Sequence, residues 1–281
     1  MTRPLFGAYS NYVFGLEVDE RQRLGDQFGL LREDFEHWLD EGLRGAGLPT
    51  DPAAATWSLL DVGCGEGQYT LQVARRFPNA TVVGVDADPA AIEAAGGAAG
   101  ASPNVRFLVH DAREPLGEDA GGGFDVAVMW MVLMYLPDRP AALAHVAGAL
   151  RPGGLLMLGN MPDVPIDVDH PAARTIFEAG RHSLGRLGLL GLDDRLDPML
   201  RAASFDQVTT ATLRYPIGGA TCAGQRWYAW YAATLRTGRA AVVDLCKDLD
   251  GAEYDRQLAL LSAENVLDIE GQARFLVTLA R

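Results

Sequence analysis

The residues able to do chemistry stand at the ends of apolar runs. Leu59-Leu60-Asp61-Val62-Gly63-Cys64-Gly65-Glu66-Gly67 joins a short strand pattern to three alternating glycines. Glycine has no Cβ, so such a turn bends sharply and lets backbone come close to a ligand. The spacing narrows the ligand. The dinucleotide fingerprint G-x-G-x-x-G places its third glycine where this chain has Gln68. A G-x-G-x-G turn with Asp61 two residues ahead suits a cationic amine and disfavours a pyrophosphate. A second run ends Val83-Gly84-Val85-Asp86, 23 residues after Gly63, where a carboxylate can accept both hydroxyl hydrogens of a ribose. A third ends His110-Asp111-Ala112, whose acid can accept from an exocyclic amine. One acid at one strand end is better read as a turn or helix cap. Three in register with a Gly-rich loop are better read as a site.

The elements that must carry these residues follow from periodicity. Leu24, Phe28, Leu31, Phe35, Trp38 and Leu39 recur three and four apart, which predicts an amphipathic helix over Val18–Leu43. Gly45–Thr56 has the composition of a loop. From Trp57 strands and helices alternate: strands at Ser58–Val62, Thr81–Val85, Val105–Val109, Phe124–Met131 and Leu155–Gly159, with helices at Gln68–Phe77, Pro89–Ala98 and Pro140–Leu150. Arg151-Pro152-Gly153-Gly154 reads as the turn into the fifth strand. That interleaving predicts a doubly wound, mostly parallel sheet. Beyond Gly159 the rhythm changes. Pro162–Asp197 is too long for a plain connection and carries helical pattern over Ala172–Leu187, so it reads as an inserted lid. A strand at Phe205–Tyr215, helices at Cys222–Leu249 and Glu253–Asn265, and a strand at Ala273–Ala280 suit an antiparallel pair closing one sheet edge.

Composition sets the class. The chain has 281 residues, 37 acidic against 24 basic side chains and a net charge of −13, with a single lysine, Lys247. Phosphate backbones need clustered cations, so nucleic acid is not an expected partner. Hydrophobic residues at 48% and charged ones at 22% are globular values that exclude extended disorder. No window approaches a membrane span, and the N-terminus lacks a signal-peptide pattern, so the expectation is a cytoplasmic protein. Cys64, Cys222 and Cys246 have no C-x-x-C spacing, which indicates neither disulfides nor a metal site.

Taken together, Asp61 through Gly67, Val85-Asp86, His110-Asp111-Ala112, Phe124-Asp125-Val126 with Leu136-Pro137-Asp138, and Leu150-Arg151-Pro152-Gly153-Gly154 resemble the class I S-adenosylmethionine-dependent methyltransferases. The resemblance covers Trp57 to Gly159 and implies a three-layer αβα Rossmann-like sheet of about seven strands. It implies S-adenosylmethionine as cofactor, with the loop of Gly63, Cys64, Gly65 and Gly67 around the methionine moiety and Asp61 near its ammonium end. Asp86 with Ala87 would hold the ribose, Asp111 with Ala112 the adenine, and Met129 and Trp130 would complete the pocket. The stretch from Tyr12 through Glu20, Arg23 and Gln27 resembles the N-terminal cover of small-molecule members, which adds Tyr12 and Gln27 to the cofactor set. The implied organisation is a helical cover over 1–56, the cofactor-binding core over 57–160, a lid over 161–204 and a closing strand pair with helical insertion over 205–281.

Methyl transfer is an in-line displacement, so the enzyme mainly aligns nucleophile, carbon and sulfur and excludes water. Where relatives carry a polar or histidine pair after the fourth strand, this chain reads Met129-Trp130-Met131-Val132-Leu133-Met134-Tyr135. That speaks against a histidine base there and favours an apolar or aromatic acceptor. Met134, Tyr135, Asn160, Trp227 and Tyr231 are the expected acceptor contacts, and Trp227, Tyr228, Trp230 and Tyr231 equally suit a core cluster. His170 and His182 in the lid, Asp163 after the fifth strand, and Tyr12 are the candidate bases. His145 falls on a surface-type helix and is expected to face solvent. The reading is an O-methyltransferase of a small metabolite, with N- or C-methylation open, in specialised biosynthesis, acting as monomer or homodimer without a metal. A cyclase using the same cofactor and a nicotinamide-binding oxidoreductase are the alternatives.

Overall fold

The computed structural model describes residues 18–117, 120–163 and 165–281. The N-terminal periodicity forms one helix, α1 (Val18–Gly45). The sheet strands follow, β1 (Ser58–Val62), β2 (Thr81–Asp86), β3 (Val105–Val109), β4 (Phe124–Trp130) and β5 (Leu150–Asn160), with helices α2 (Gln68–Arg76), α3 (Pro89–Ala99) and α4 (Arg139–Ala149) between them. Then come β6 (Ile166–Val168), α5 (Pro171–Arg186), α6 (Leu196–Ala202), β7 (Val208–Gly218), α7 (Cys222–Arg239), α8 (Gly251–Ala263) and β8 (Glu270–Ala280).

The eight strands form a mostly parallel mixed sheet in the order β3-β2-β1-β4-β5-β8-β6, with β7 also on β8. The pairs among β1 to β5 are all parallel, whereas β8 runs antiparallel to β5 and to β6. Central strands covered on both faces need apolar residues throughout, and Leu59, Leu60, Val62, Val126, Ala127, Val128 and Met129 are all buried accordingly. The chain leaves β1 toward β2 and β3 on one side and returns through β4 and β5 on the other. This reversal opens a crevice at the carboxyl ends of β1 and β4.

The chain clusters into two compact units. One comprises Arg32–Asn160, Asp194–Ala211 and Leu276–Arg281, and holds β1 to β5. In it, α1 lies close on the sheet because Gly42 has no side chain: a Cβ there would stand 2.7 Å from Leu155 Cδ2. Arg76 reaches from α2 to both carboxylate oxygens of Asp40 on α1 at 2.7 Å, fixing one helix to the other. The second unit gathers residues up to Leu31, Met161–Asp193 and Thr212–Phe275. Its centre is aromatic. Tyr215 stacks on Trp227 with centroids 4.4 Å apart, and Trp230 and Phe275 pack against Trp227 at 5.4 and 5.5 Å.

Three local expectations change. The fifth strand begins at Leu150, and Arg151–Gly154 is an irregularity inside it, because the pairing with β4 jumps from Phe124↔Leu150 to Val126↔Leu155. Gly153 takes the left-handed backbone (φ +73) there. The segment expected to be a lid contains a short strand, β6, which pairs through residues 166–168 with β8. The helix α6 was not signalled by its seven residues, too few to establish a period.

Candidate active site

The loop after β1 is held from below. The N–H groups of Gly63 and Cys64 both donate to Val85 O of β2, at 2.8 and 3.0 Å, and Gly67 N–H closes the turn on Cys64 O. All three glycines have positive φ, at 75°, 54° and 79°. Their reasons differ. A Cβ on Gly63 would run into the Val132 side chain, and one on Gly67 would stand 2.7 Å from Phe107 Cζ, so packing forbids side chains at both. A Cβ on Gly65 would meet nothing within 4 Å. Gly65 is therefore the position whose bare backbone faces open space, the room a ligand would fill.

Three acids surround this loop with different surroundings. Asp61 is 2% exposed and its Oδ2 accepts from Thr70 Oγ1 of α2 at 2.6 Å. Burial pushes its carboxyl up to about 7, against the pull of the Thr70 hydroxyl. Asp86 ends β2, with Oδ2 accepting from Gly65 N–H at 2.8 Å and Oδ1 from Asp88 N–H at 2.9 Å. Burial raises its carboxyl as well, opposed by those backbone donors. Asp86 thus positions the open glycine and stands beside it. Asp111 is gripped by Arg113, whose Nε lies 3.0 and 2.9 Å from the two oxygens and whose side-chain N–H donates at 2.5 Å. That contact holds Asp111 below the ordinary carboxylate range. His110 N–H on Asp86 O ties the second and third strand ends together. The Cys64 thiol, beside Asp61 and Asp86, is pushed well up by burial and by their charges, so it is no nucleophile.

These groups fit a cationic adenosyl ligand. A buried carboxylate short of positive charge, a bare backbone over open space and strand-end acids match an ammonium group, a close-lying chain and hydroxyl or amine donors. Met129 is fully buried within β4, and Trp130 lies flat over Gly159, where a Cβ would stand 2.5 Å from the indole. Trp130 also packs on Phe35, centroids 3.6 Å apart. Its indole N–H and both amide atoms of Asn160, itself 1% exposed, are buried without a hydrogen-bond partner. Met134 and Tyr135 are buried in a helical turn over Leu133–Tyr135 whose Met134 carbonyl accepts from Arg139 at 3.0 Å.

The remaining candidates belong to the other unit, where several are already engaged. Asp163 accepts through both oxygens from Gly191 N–H at 2.8 Å, and His170 caps α5 through Nδ1 on Ala172 N–H at 3.2 Å with its Nε2 3.6 Å from Glu264. His182 is exposed on α5. Trp227 and Tyr231 are buried, Trp227 at the centre of the aromatic cluster and Tyr231 at 1% exposure. Gln27 accepts from Arg23 at 2.8 Å, and Arg23 also pairs with the buried Glu20 at 2.6 Å. Tyr12 lies outside the described residues. His145 does not face solvent as expected: it is half-buried, with Nδ1 3.4 Å from Ala112 O.

Sequence reasoning missed Thr70 and Arg113. An acid followed two residues later by a basic side chain is the available signal for Arg113, since an Asx turn folds the second over the first. Thr70 carried no signal beyond standing one turn into α2. Asp125 is misplaced for ligand contact: it starts β4 at the amino end, where it takes Ser58 N–H at 2.8 Å and Arg151 Nε at 2.5 Å.

Comparison with known proteins agrees with this geometry. The methyltransferase-domain family model matches residues 59–154. The trans-aconitate 2-methyltransferase of Deinococcus radiodurans is 30% identical over 237 residues, 80% of this chain and 83% of that protein. The protein of the same name from Methylobacterium radiotolerans is 33% identical over 61% of this chain and 64% of its own length. Among solved structures, YcgJ from Bacillus subtilis superposes with TM-score 0.53 at 17% identity, over 87% of this chain and 98% of its own. The [4+2]-cyclase SpnF does so with TM-score 0.52 at 20%, over 88% and 80%. Likeness at that identity speaks for the fold alone.

A parallel sheet with an open glycine and acids at its switch point defines a nucleoside-cofactor-binding α/β enzyme. The chain belongs to the class I S-adenosylmethionine-dependent methyltransferases, and S-adenosylmethionine is its cofactor. The oxidoreductase alternative falls with that membership. No helix among the described residues is long and apolar enough to cross a membrane, and no cluster of three or more His, Cys, Asp or Glu among them suits a metal ion.

Proposed function

We propose that this enzyme transfers the methyl group to an oxygen of a small metabolite, and that the oxygen is a carboxylate. The observation carrying this is the employment of the candidate bases among the described residues. Asp163 is spent on backbone N–H groups, His170 on a helix cap, and His182 points to water. A phenol or alcohol acceptor has to lose a proton and needs a base near it. A carboxylate is ionised at neutral pH and needs none. The relatives named for trans-aconitate, itself a carboxylic acid, support the same class.

Bound S-adenosylmethionine supplies a methyl group made electrophilic by its sulfonium charge. The residues of this chain then have three tasks. Asp61 offers a buried negative charge to the ammonium end, and Asp86 offers its carboxylate to the ribose while holding Gly65 N–H. The buried Met129, Met134 and Leu133 keep water from the carboxyl ends of β4, where a competing nucleophile would do harm. The test is methyl transfer from labelled cofactor to a panel holding trans-aconitate, simple phenols and primary amines, read as labelled methyl ester, ether or methylamine by mass spectrometry. Methyl ester from the acid is expected. Transfer to phenols or amines with none to any acid would overturn the reading, and turnover without release of S-adenosylhomocysteine would point to a cyclisation.

A further inference from the structure

The carboxyl ends of β4 and β5 carry polar atoms that the fold leaves unpaired. Asn160, the last residue of β5, is 1% exposed, and neither its amide oxygen nor its amide nitrogen has a hydrogen-bond partner. Side chains alternate along a strand, so Asn160 shares its face of the sheet with Leu158 and, across the pairings, with Met129 and Leu276. All three are apolar. A buried amide among such neighbours weakens the fold, whereas a leucine would fill a similar volume and leave nothing unpaired. The neighbouring strand repeats the pattern: Trp130 ends β4, and its indole N–H is buried and unpaired. Its place is enforced. Phe35 packs on the ring, Gly159 has no side chain to displace it, and Met131 after it takes the left-handed backbone (φ 58). The Met131 N–H donates to Gly159 O at 2.7 Å, which fixes that turn against β5. Strain and unpaired polar atoms at adjoining strand ends mark a ligand's place.

We propose that Asn160 is a specificity-determining residue of the acceptor site. Its amide N–H donates to the carboxylate oxygen that is not methylated, and its amide oxygen accepts from a second, protic group of the same molecule, a hydroxyl or an undissociated carboxyl. The inference rests on the carboxylate reading above and narrows it to acids that carry such a second group. In the transfer one carboxylate oxygen attacks the methyl carbon while the carbon–sulfur bond breaks and its electron pair stays on sulfur, giving a methyl ester and S-adenosylhomocysteine. A guanidinium would grip the anion harder and draw off the electron density that attacks. An uncharged amide aligns the group and leaves its charge in place. The Trp130 indole N–H is a second uncharged donor at the same carboxyl edge of the sheet.

The experiment measures methyl transfer to trans-aconitate, 2-hydroxyhexanoate and hexanoate by the wild type, Asn160→Leu and Asn160→Asp. Binding of S-adenosylhomocysteine by calorimetry and thermal melting are recorded for each protein. The wild type should favour the first two acids over hexanoate by about tenfold in kcat/KM, the worth of one hydrogen bond. Asn160→Leu should raise the KM of the preferred acid about tenfold and erase the preference. Its melting temperature should equal or exceed that of the wild type, and its affinity for S-adenosylhomocysteine should stay within about twofold. Asn160→Asp, nearly the same shape, sets a like charge against the carboxylate and should raise that KM about a hundredfold; it decides alone if Asn160→Leu does not fold. A wild type that takes hexanoate as well as the other two overturns the inference, and so does a preference kept in either variant. A lowered melting temperature with unchanged KM marks a structural amide, and a matching loss of S-adenosylhomocysteine binding puts Asn160 on the cofactor; each overturns it. Transfer to no acid removes the carboxylate reading and this inference together, whereas transfer to acids that both variants leave unchanged overturns this inference alone.

Discussion

The two compact units solve opposite problems with polar groups. In the unit built on β1 to β5, carboxylates are buried or half-buried at strand ends: Asp61 accepts from Thr70, and Asp86 accepts from the backbone of Gly65, Ala87 and Asp88. In the other unit the titratable groups proposed for chemistry are mostly engaged. Asp163 is taken by Gly191, His170 by Ala172, Ser183 by Asp248 at 2.7 Å and Arg239 by Asp255 at 2.7 Å, around a centre of stacked rings. A buried polar group left under-satisfied has a cost that a ligand or a water can offset, whereas a satisfied one holds the fold.

Four perturbations would break or sharpen that contrast. The largest effect is expected for Trp227→Ala, which removes the ring at the middle of the aromatic cluster and should destabilise the protein by about 3–5 kcal/mol in denaturant unfolding. A loss below about 1 kcal/mol would show that the cluster is a soft, ligand-facing wall and not a core.

Next comes Asp61. Its folded-state carboxyl lies at about 7, above the ordinary 3.8, so the protonated form favours folding. That contribution is present below about pH 4 and is lost as pH rises through 7. Asp61→Asn, which cannot ionise, should gain on the wild type over that window, by up to about 4 kcal/mol at pH 8 and by nothing of this origin at pH 4. Cofactor affinity should move oppositely, wild type weakening below pH 7 while Asp61→Asn stays flat. A stability difference independent of pH would sink the assignment.

Asp86→Ala removes both the proposed ribose acceptor and the anchor of Gly65. It should raise the cofactor Kd about 10–100-fold in calorimetry, since a charged hydrogen bond is worth about 1.5–3 kcal/mol. An unchanged Kd would take Asp86 out of the site. The smallest effect belongs to His182→Ala: exposed on α5, it should alter neither stability, within about 0.5 kcal/mol, nor the turnover number. A drop of a hundredfold in turnover at unchanged stability would restore it as a base and argue against a carboxylate acceptor.

Legibility followed the same division. β1 and β3 have the ends that periodicity predicts, and the paired strand-end acids could be found because each sits directly after its own apolar run. β5 was misread at its start because a Pro-Gly-Gly turn and a bulge look alike until a partner strand is known. His145 was misread because helix periodicity says which face is apolar and nothing about which loop lies across it.

The sequence by itself therefore determined the alternation of strand and helix, the glycine turn and the three acids, since all of these are properties of a few neighbouring residues. Only the tertiary structure decided what each acid is worth. Asp61 and Asp86 are raised by burial, while Asp111 is lowered by an arginine two residues away. It likewise decided that Gly63 and Gly67 serve Val132 and Phe107 and that Gly65 faces open space, and that Asp163 and His170 are spent on backbone. Dielectric, packing and hydrogen-bond competition depend on what is brought near, and distance in space is what a linear order leaves open.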